Sequence, residues 1–353
     1  MSDSTLNFPR TIGIDLGSRT SSYCTVEPGG ERIDEGVLKS DWLKMQRFFE
    51  AQPTSRVVIE ASAPSRWVSE VAASCGHEVI VANPREFRLI SQSDRKSDRN
   101  DARLLASYGQ FRPRLLRPVQ LRGVKCQCVR TLLAARNLLV QQRSKTITFV
   151  RSQVRNLGFA LPTCASHYFH IKVADQIPNA LRSALEPFME VLASLAEAIR
   201  KYDREIARLC KEEFPETAAL MAVNGVGPIT SLAFVATIED PSRFEKSRDV
   251  GPYVGLVPRS RASGSKAPQL SISKRGDKGM RRLLVSAATF ILGPRGEDSD
   301  LRRWGQSLQD RGGQASRSKA RIAVARKLGV LMHRLLVSGE CYDPNRRMQH
   351  TAA

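Results

Sequence analysis

"TIGIDLGSRT", residues Thr11–Thr20, puts an Asp at the tip of a short apolar run. Thr11 to Ile14 read as a buried strand, and Leu16-Gly17 turn the chain straight after Asp15. A carboxylate so placed serves one of two chemistries. The turn behind it can cradle a nucleotide's phosphates, or the carboxylate can itself hold a catalytic metal.

The surrounding residues favour the metal. "SSYCTVEP" and "RIDEGVL" follow as two more strands, with Pro28-Gly29-Gly30 between them, and "DWLKMQRFFEAQ" has helical spacing. "RVVIEAS" is a second buried strand that also ends in an acid, Glu60. "SRWVSEVAASCG" then reads as a helix closed by Gly76, and "HEVIVANP" as a last strand. This order fits an RNase H-like α/β domain over residues 8–118, not a doubly wound nucleotide fold. "SDRKSDRNDARLLASYG" supplies Asp98 and Asp101 at a helix start, three residues apart and so on one face. Asp94 is taken as a bystander.

Asp15, Glu60, Asp98 and Asp101 make four acids from three elements, a set of hard oxygen ligands suited to Mg²⁺, with two ions per site expected. Singly, Asp98 and Asp101 are equally explained as acids favoured at a helix N-terminus. Asp15 and Glu60 are harder to dismiss, because a lone carboxylate after an apolar strand is costly. A kinase-like phosphate cradle needs a second strand-borne Asp-Gly turn, and the chain has none; "RGDKG" around Asp277 lies in a basic loop.

The charge balance points to a polyanion. The 353 residues carry 55 Lys and Arg against 35 Asp and Glu, a net charge of +20. That excess suits nucleic acid, with an anionic membrane surface as the weaker alternative. From Ala102 to Ala174 there is no acid at all. Arg103, Arg122, Lys125, Arg130, Arg136, Arg143, Lys145, Arg151 and Arg155 from this stretch are therefore candidate nucleic-acid contacts. Most of the block is helical, ending at Gly158. A second helix, "PFMEVLASLAEAIRKYDREIARLC", carries Phe188, Leu192, Leu195, Ile199, Tyr202, Ile206 and Leu209 in alternating steps of four and three. That is a heptad seam, expected in a coiled-coil hairpin or a dimerising helix. Residues 119–212 thus read as a basic helix followed by a coiled-coil helix.

Residues 213–345 read as a third, mainly helical domain. "NGVG" (Asn224–Gly227) between two apolar helical stretches has the pattern of a helix-hairpin-helix, with Gly225 and Gly227 available to a phosphate; a plain helix–turn–helix connection is the alternative. A loop rich in Gly, Ser and Lys follows, then a basic helical tail. The seven cysteines are scattered and give no zinc pattern. The longest apolar run, Leu283–Leu292, is too short to span a bilayer, and the N-terminus lacks a signal pattern, so a cytoplasmic, nucleoid-associated protein is expected.

The stretches "GIDLG", "VVIEAS", "VANPREFR" and "RKSDRNDARLLA" resemble the N-terminal half of the Piv/MooV-like DEDD transposases and recombinases, the insertion-sequence one-ten family. "GLVPRSRASGSK", "ISKRGDKGMRRLLVSAA" and "ARIAVARKLGVLMHRLLVSGECYDP" are similar to its C-terminal transposase domain. The resemblance implies a site-specific DNA recombinase with a resolvase-like N-terminal domain, guided by a structured noncoding RNA, the bridge RNA, that pairs with donor and target DNA. It implies that Asp15, Glu60, Asp98 and Asp101 bind Mg²⁺. It places a nucleophilic serine at Ser263, in a loop that also holds Ser260 and Ser265. The family motif has two serines and two glycines before a lysine; here Ala262 and Ser265 replace one of each. Lys266, Lys274 and Arg275 are the expected phosphate clamps of that loop. The resemblance also implies that the serine and the acids meet between subunits of a dimer or tetramer. Two alternatives stay open beside the guided recombinase: an RNA-independent DNA invertase or junction-resolving nuclease, and a non-catalytic nucleic-acid-binding scaffold.

Overall fold

A computed structural model describes residues 8–84, 97–259, 270–313 and 315–346. The chain divides into two compact units, Met1–Leu121 and Arg122–Ala353.

The first unit is built on a five-stranded sheet of β1 (Thr11–Asp15), β2 (Thr20–Val26), β3 (Arg32–Lys39), β4 (Arg56–Glu60) and β5 (Glu78–Ala82), in the order β3-β2-β1-β4-β5. β1 pairs antiparallel with β2 and parallel with β4, and β4 pairs parallel with β5. The order and directions are consistent with the RNase H-like expectation. Central strands covered on both faces read as unbroken apolar runs, which is why β4 contains Val57-Val58-Ile59. Ile12, Ile14, Val57 and Ile59 face a core completed by α1 (Trp42–Glu50) and α2 (Ser65–Ser74). Val58, on the other face, packs with Leu105 of α3 (Asp98–Phe111).

Gly13 sets how closely α3 approaches. A Cβ there would overlap the Ala102 carbonyl oxygen and the Ala106 nitrogen of α3. Gly109 of the same helix lies against Thr11 and Val58. α3 therefore runs antiparallel to β1, with Gly109 at the strand's beginning and Ala102 over its middle.

The second unit is helical. α4 (Val124–Asn156) and α6 (Asn179–Glu212) form an antiparallel hairpin whose turn region contains α5 (Phe169–Val173). Ile147, Val150 and Val154 of α4 pack with Leu185, Met189 and Leu192 of α6 at one end. Cys126 and Val129 pack near Ile206, Leu209 and Cys210 at the other. Leu192, Ile199, Ile206 and Leu209 of the heptad seam are buried, and Phe188, Leu195 and Tyr202 half-buried, so the seam is engaged within the chain. α6 begins at Asn179, eight residues before Pro187, where the expected helix started. Pro187 sits on the exposed side, and burial of Leu185 and Met189 on either side of it holds the extra turns.

The hairpin's base shares one core with α7 (Thr217–Met221), α8 (Pro228–Ile238), α9 (Val250–Tyr253), α10 (Lys278–Leu292), α11 (Asp300–Asp310) and α12 (Ser316–Ser338). α8 is apolar nearly all round because it is the central helix; every residue from Thr230 to Ile238 is buried. No helix among the described residues is long and apolar enough to cross a membrane.

Gly13→Ala forces α3 off the sheet and should cost about 3 kcal/mol in thermal denaturation of the full chain. Gly109→Ala should cost less, because its added methyl meets the Val58 side chain first rather than backbone. Equal losses would contradict the close approach.

Candidate active site

Asp15 and Glu60 end adjacent parallel strands. The register pairs Ile14 with Ile59, so the two acids lie side by side at the strands' carboxyl ends. Strand alternation puts them on the face of Gly13 and Val58, the face that α3 covers. Ala102 lies over Gly13, and Asp98 is four residues earlier in α3, about 6 Å along the helix. Two strand residues from Gly13 to Asp15 span about 6.7 Å. The first turn of α3, with Asp98 and Asp101, is thus level with Asp15. Ser97 caps that turn through the Asn100 amide.

The backbone brings all four acids to one sheet edge. Asp15, Glu60 and Asp101 are half-buried and Asp98 is exposed. The side chains are not gathered as tightly as a bound metal requires: among the described residues no group of three or more His, Cys, Asp or Glu is placed to hold an ion. The donor set still suits a hard divalent cation, since all four are carboxylates.

Ser260, Ser263, Ser265 and Lys266 lie outside the described residues, as does Asp94. The two stems of the serine loop are described, and they are pinned together. Pro258 and Ile272 form an antiparallel bridge, the Arg259 amide donates to the Ser271 carbonyl at 3.0 Å, and the Ser273 amide to Val257 at 2.7 Å. Behind them, Gly255 (φ +72°) would overlap Arg275 with any Cβ, and Gly276 (φ +91°) would overlap the Tyr253 carbonyl. The "GLVPR…SKRG" pattern has a physical cause here: two glycines let the stems touch. Lys274 is left-handed (φ +53°), and both Lys274 and Arg275 are exposed.

Directly after the stem, the Asp277 carboxylate accepts from the Met280 amide at 2.7 Å, capping α10, and pairs with Arg130 of α4 at 2.6 Å. Arg130 also donates to Thr237 of α8. Burial pushes the Asp277 carboxyl up, but the Met280 amide and the Arg130 guanidinium outweigh it and hold it below the usual carboxylate range.

Several basic candidates are engaged inside the chain. Arg103 forks onto Glu35 with two 2.9 Å bonds. Arg122 donates to the Tyr253 hydroxyl at 2.8 Å. Lys125 donates to the Glu213 carbonyl and lies 4.4 Å from the Phe214 ring centre. Arg136 pairs with Asp203 at 2.8 Å. Arg151 donates to the Leu161 and Pro162 carbonyls. Arg143 is half-buried beside Arg136. Lys145 and Arg155 are exposed. The block lacks acids in sequence, but Glu35, Asp203, Glu213 and Asp277 reach it from other elements. Gly225 (φ +86°) packs against Ala287 and Ile291 of α10, which makes it a turn and packing glycine; Gly227 is exposed at the start of α8.

A DEDD transposase model of the IS110 type matches residues 12–158, and the model described as "Transposase IS116/IS110/IS902 family" matches residues 217–299. The chain belongs to the IS110/IS116/IS902 family of transposases. It is an enzyme of DNA recombination by phosphoryl transfer, and the DEDD name covers the segment that holds Asp15, Glu60, Asp98 and Asp101. The chain is 26% identical over 348 residues to the transposase for insertion sequence element IS1111A of Coxiella burnetii, covering 94% of this chain and 91% of that protein. It is 26% identical over 341 residues to a probable family 20 transposase of Pseudomonas aeruginosa (94% and 98%). It is 23% identical over 349 residues to the pilin gene-inverting protein of Moraxella bovis (94% and 97%). DEDD transposases use divalent metal ions, which agrees with the donor set at the sheet edge.

Arg130→Ala should cost about 3 kcal/mol, since it strands a mostly buried carboxylate. Asp277→Asn keeps a cap for Met280 and loses only the charge. A carboxyl held low stabilises fully above its unfolded value and loses that contribution as pH falls through its folded value. The native chain's advantage over Asp277→Asn should therefore be present above about pH 4 and shrink below it in urea melts. A gap unchanged by pH would contradict the ion pair.

Proposed function

We propose that this transposase is an RNA-guided, site-specific DNA recombinase of an insertion sequence, acting through a serine nucleophile. The observation that carries the metal half of this reading is the placement of Asp15 and Glu60 side by side, facing the first turn of α3. RNase H-like architecture of the first unit is part of the same reading, supported by the strand order. Asp15, Glu60, Asp98 and Asp101 would hold Mg²⁺, which supplies positive charge against the oxygens of the scissile phosphate.

The chemical step belongs to Ser263. Its hydroxyl oxygen attacks phosphorus, the bond from phosphorus to the 3′ oxygen breaks, and the 3′ oxygen takes up a proton as the serine proton is lost. The product is a phosphoserine–DNA link and a free 3′-hydroxyl. A 3′-hydroxyl of the exchanged strand then attacks the same phosphorus and the serine oxygen leaves, regaining a proton. The pinned stems support this role, because a nucleophile on a loop must be presented from fixed ends. Lys266, Lys274 and Arg275 would hold the phosphate. Donor DNA, target DNA, a structured guide RNA and further copies of the chain are the proposed partners, and the bacterial nucleoid the proposed location.

A second reading, an invertase that needs no RNA, is favoured by the name of the Moraxella relative. Ser263→Ala should abolish the covalent protein–DNA adduct seen on denaturing gels, while Ser260→Ala and Ser265→Ala retain it. Persistence of the adduct in Ser263→Ala would sink the serine assignment. Recombination by RNase-treated protein at its full rate would favour the invertase.

A further inference from the structure

We propose that α4 and α10 together form a track for the phosphate backbone of the DNA strand leading to the serine loop, with Lys278, Arg282 and Asn137 at its centre. The proposal rests on the serine-loop reading above for its choice of DNA. The two helices both pack on α8 and are bridged at two points by side chains. Arg130 meets Asp277 at the cap of α10, and Asn137, two turns further along α4, accepts from Arg282 at 2.6 Å. They therefore run in the same direction, starting from the stem that carries Lys274 and Arg275.

Lys278 and Arg282 are exposed and four residues apart, on one face of α10. On α4, Gln141 and Lys145 follow Asn137 in steps of four, and both are exposed. Neither helix contains an Asp or Glu, and the only acid between Leu270 and Gly296 is Asp277. That acid is committed to Arg130 and to the helix cap. The contrast with the rest of the chain is informative. Arg103, Arg136 and Arg208 each have a carboxylate partner. Among the described residues the cations along this track have no carboxylate partner, and like charges set close together repel unless an anion lies among them. Amide side chains at Asn137 and Gln141 suit phosphate oxygens as donors. Lys274 to Arg282, along the stem and the first turns of α10, and Asn137 to Lys145 on α4 give a stripe rather than a point. A chain of phosphates fits that shape better than a single anion.

The test measures binding of uncleaved nucleic acid, so it does not depend on the chemistry. Full-length protein carrying Ser263→Ala, without divalent metal, is titrated with a labelled DNA duplex of arbitrary sequence and with a labelled RNA hairpin across a range of salt. Adding Lys278→Gln and Arg282→Gln should lower the log–log salt slope for DNA by about 2. DNA affinity at low salt should fall about tenfold or more. Arg317→Gln with Lys319→Gln, which removes the same charge from the exposed start of α12, should change the slope far less. Lys278→Gln alone, at an exposed position, should give about half the effect and guards against a folding defect in the pair. An unchanged slope, an equal loss in the α12 control, or a loss confined to RNA would overturn the track. A covalent adduct that persists in Ser263→Ala would instead overturn the serine reading and leave this binding result standing.

Discussion

The contact between Gly13 and α3 governs the first unit. Only a residue without a side chain lets the Ala102 and Ala106 backbone lie directly on β1. That closeness fixes both the height and the direction of the helix, and so places Asp98 and Asp101 at the carboxyl end of the strand. The parallel register of β1 and β4 does the same for Asp15 and Glu60. Four acids from distant parts of the sequence share one edge because two backbone constraints agree. Neither constraint involves the acids themselves.

The second unit solves a different problem, that of fixing a loop by its ends. Gly255 and Gly276 let two stems touch, and Asp277 ties the following helix to Arg130. The arginines divide by this logic. Arg103, Arg130 and Arg136 tie elements together through carboxylates, whereas among the described residues Arg282 on α10 and Arg275 at the stem have no carboxylate partner. Net charge alone does not make that division; partners do.

Much of the sheet is legible in the sequence because β1 and β4 are short apolar runs ending in acids, a pattern that requires only local residues. The heptad seam of α6 is legible for the same reason, since its period is written in seven side chains. Its true start is not, because Pro187 signals a boundary locally while the burial of Leu185 and Met189 overrides it from another helix. The internal partners of the acid-free block are hidden in a similar way. Its arginines find Glu35, Asp203 and Asp277 across 68, 67 and 147 residues of chain, and no window of sequence shows such pairs. The packing of Gly225 against α10 is likewise invisible in its local sequence. Asp15 and Glu60 are recognisable from their strand tips and Asp98 and Asp101 from a helix start, but only the register and Gly13 show that they share one end of the sheet.

The central claim is that this edge binds divalent metal. Crystals of the full-length protein grown with Mn²⁺, measured for anomalous scattering at the manganese edge, test it directly. The account predicts anomalous peaks among Asp15, Glu60, Asp98 and Asp101, lost in Asp15→Ala crystals. Ordered carboxylates with no peak between them at saturating Mn²⁺ would contradict it.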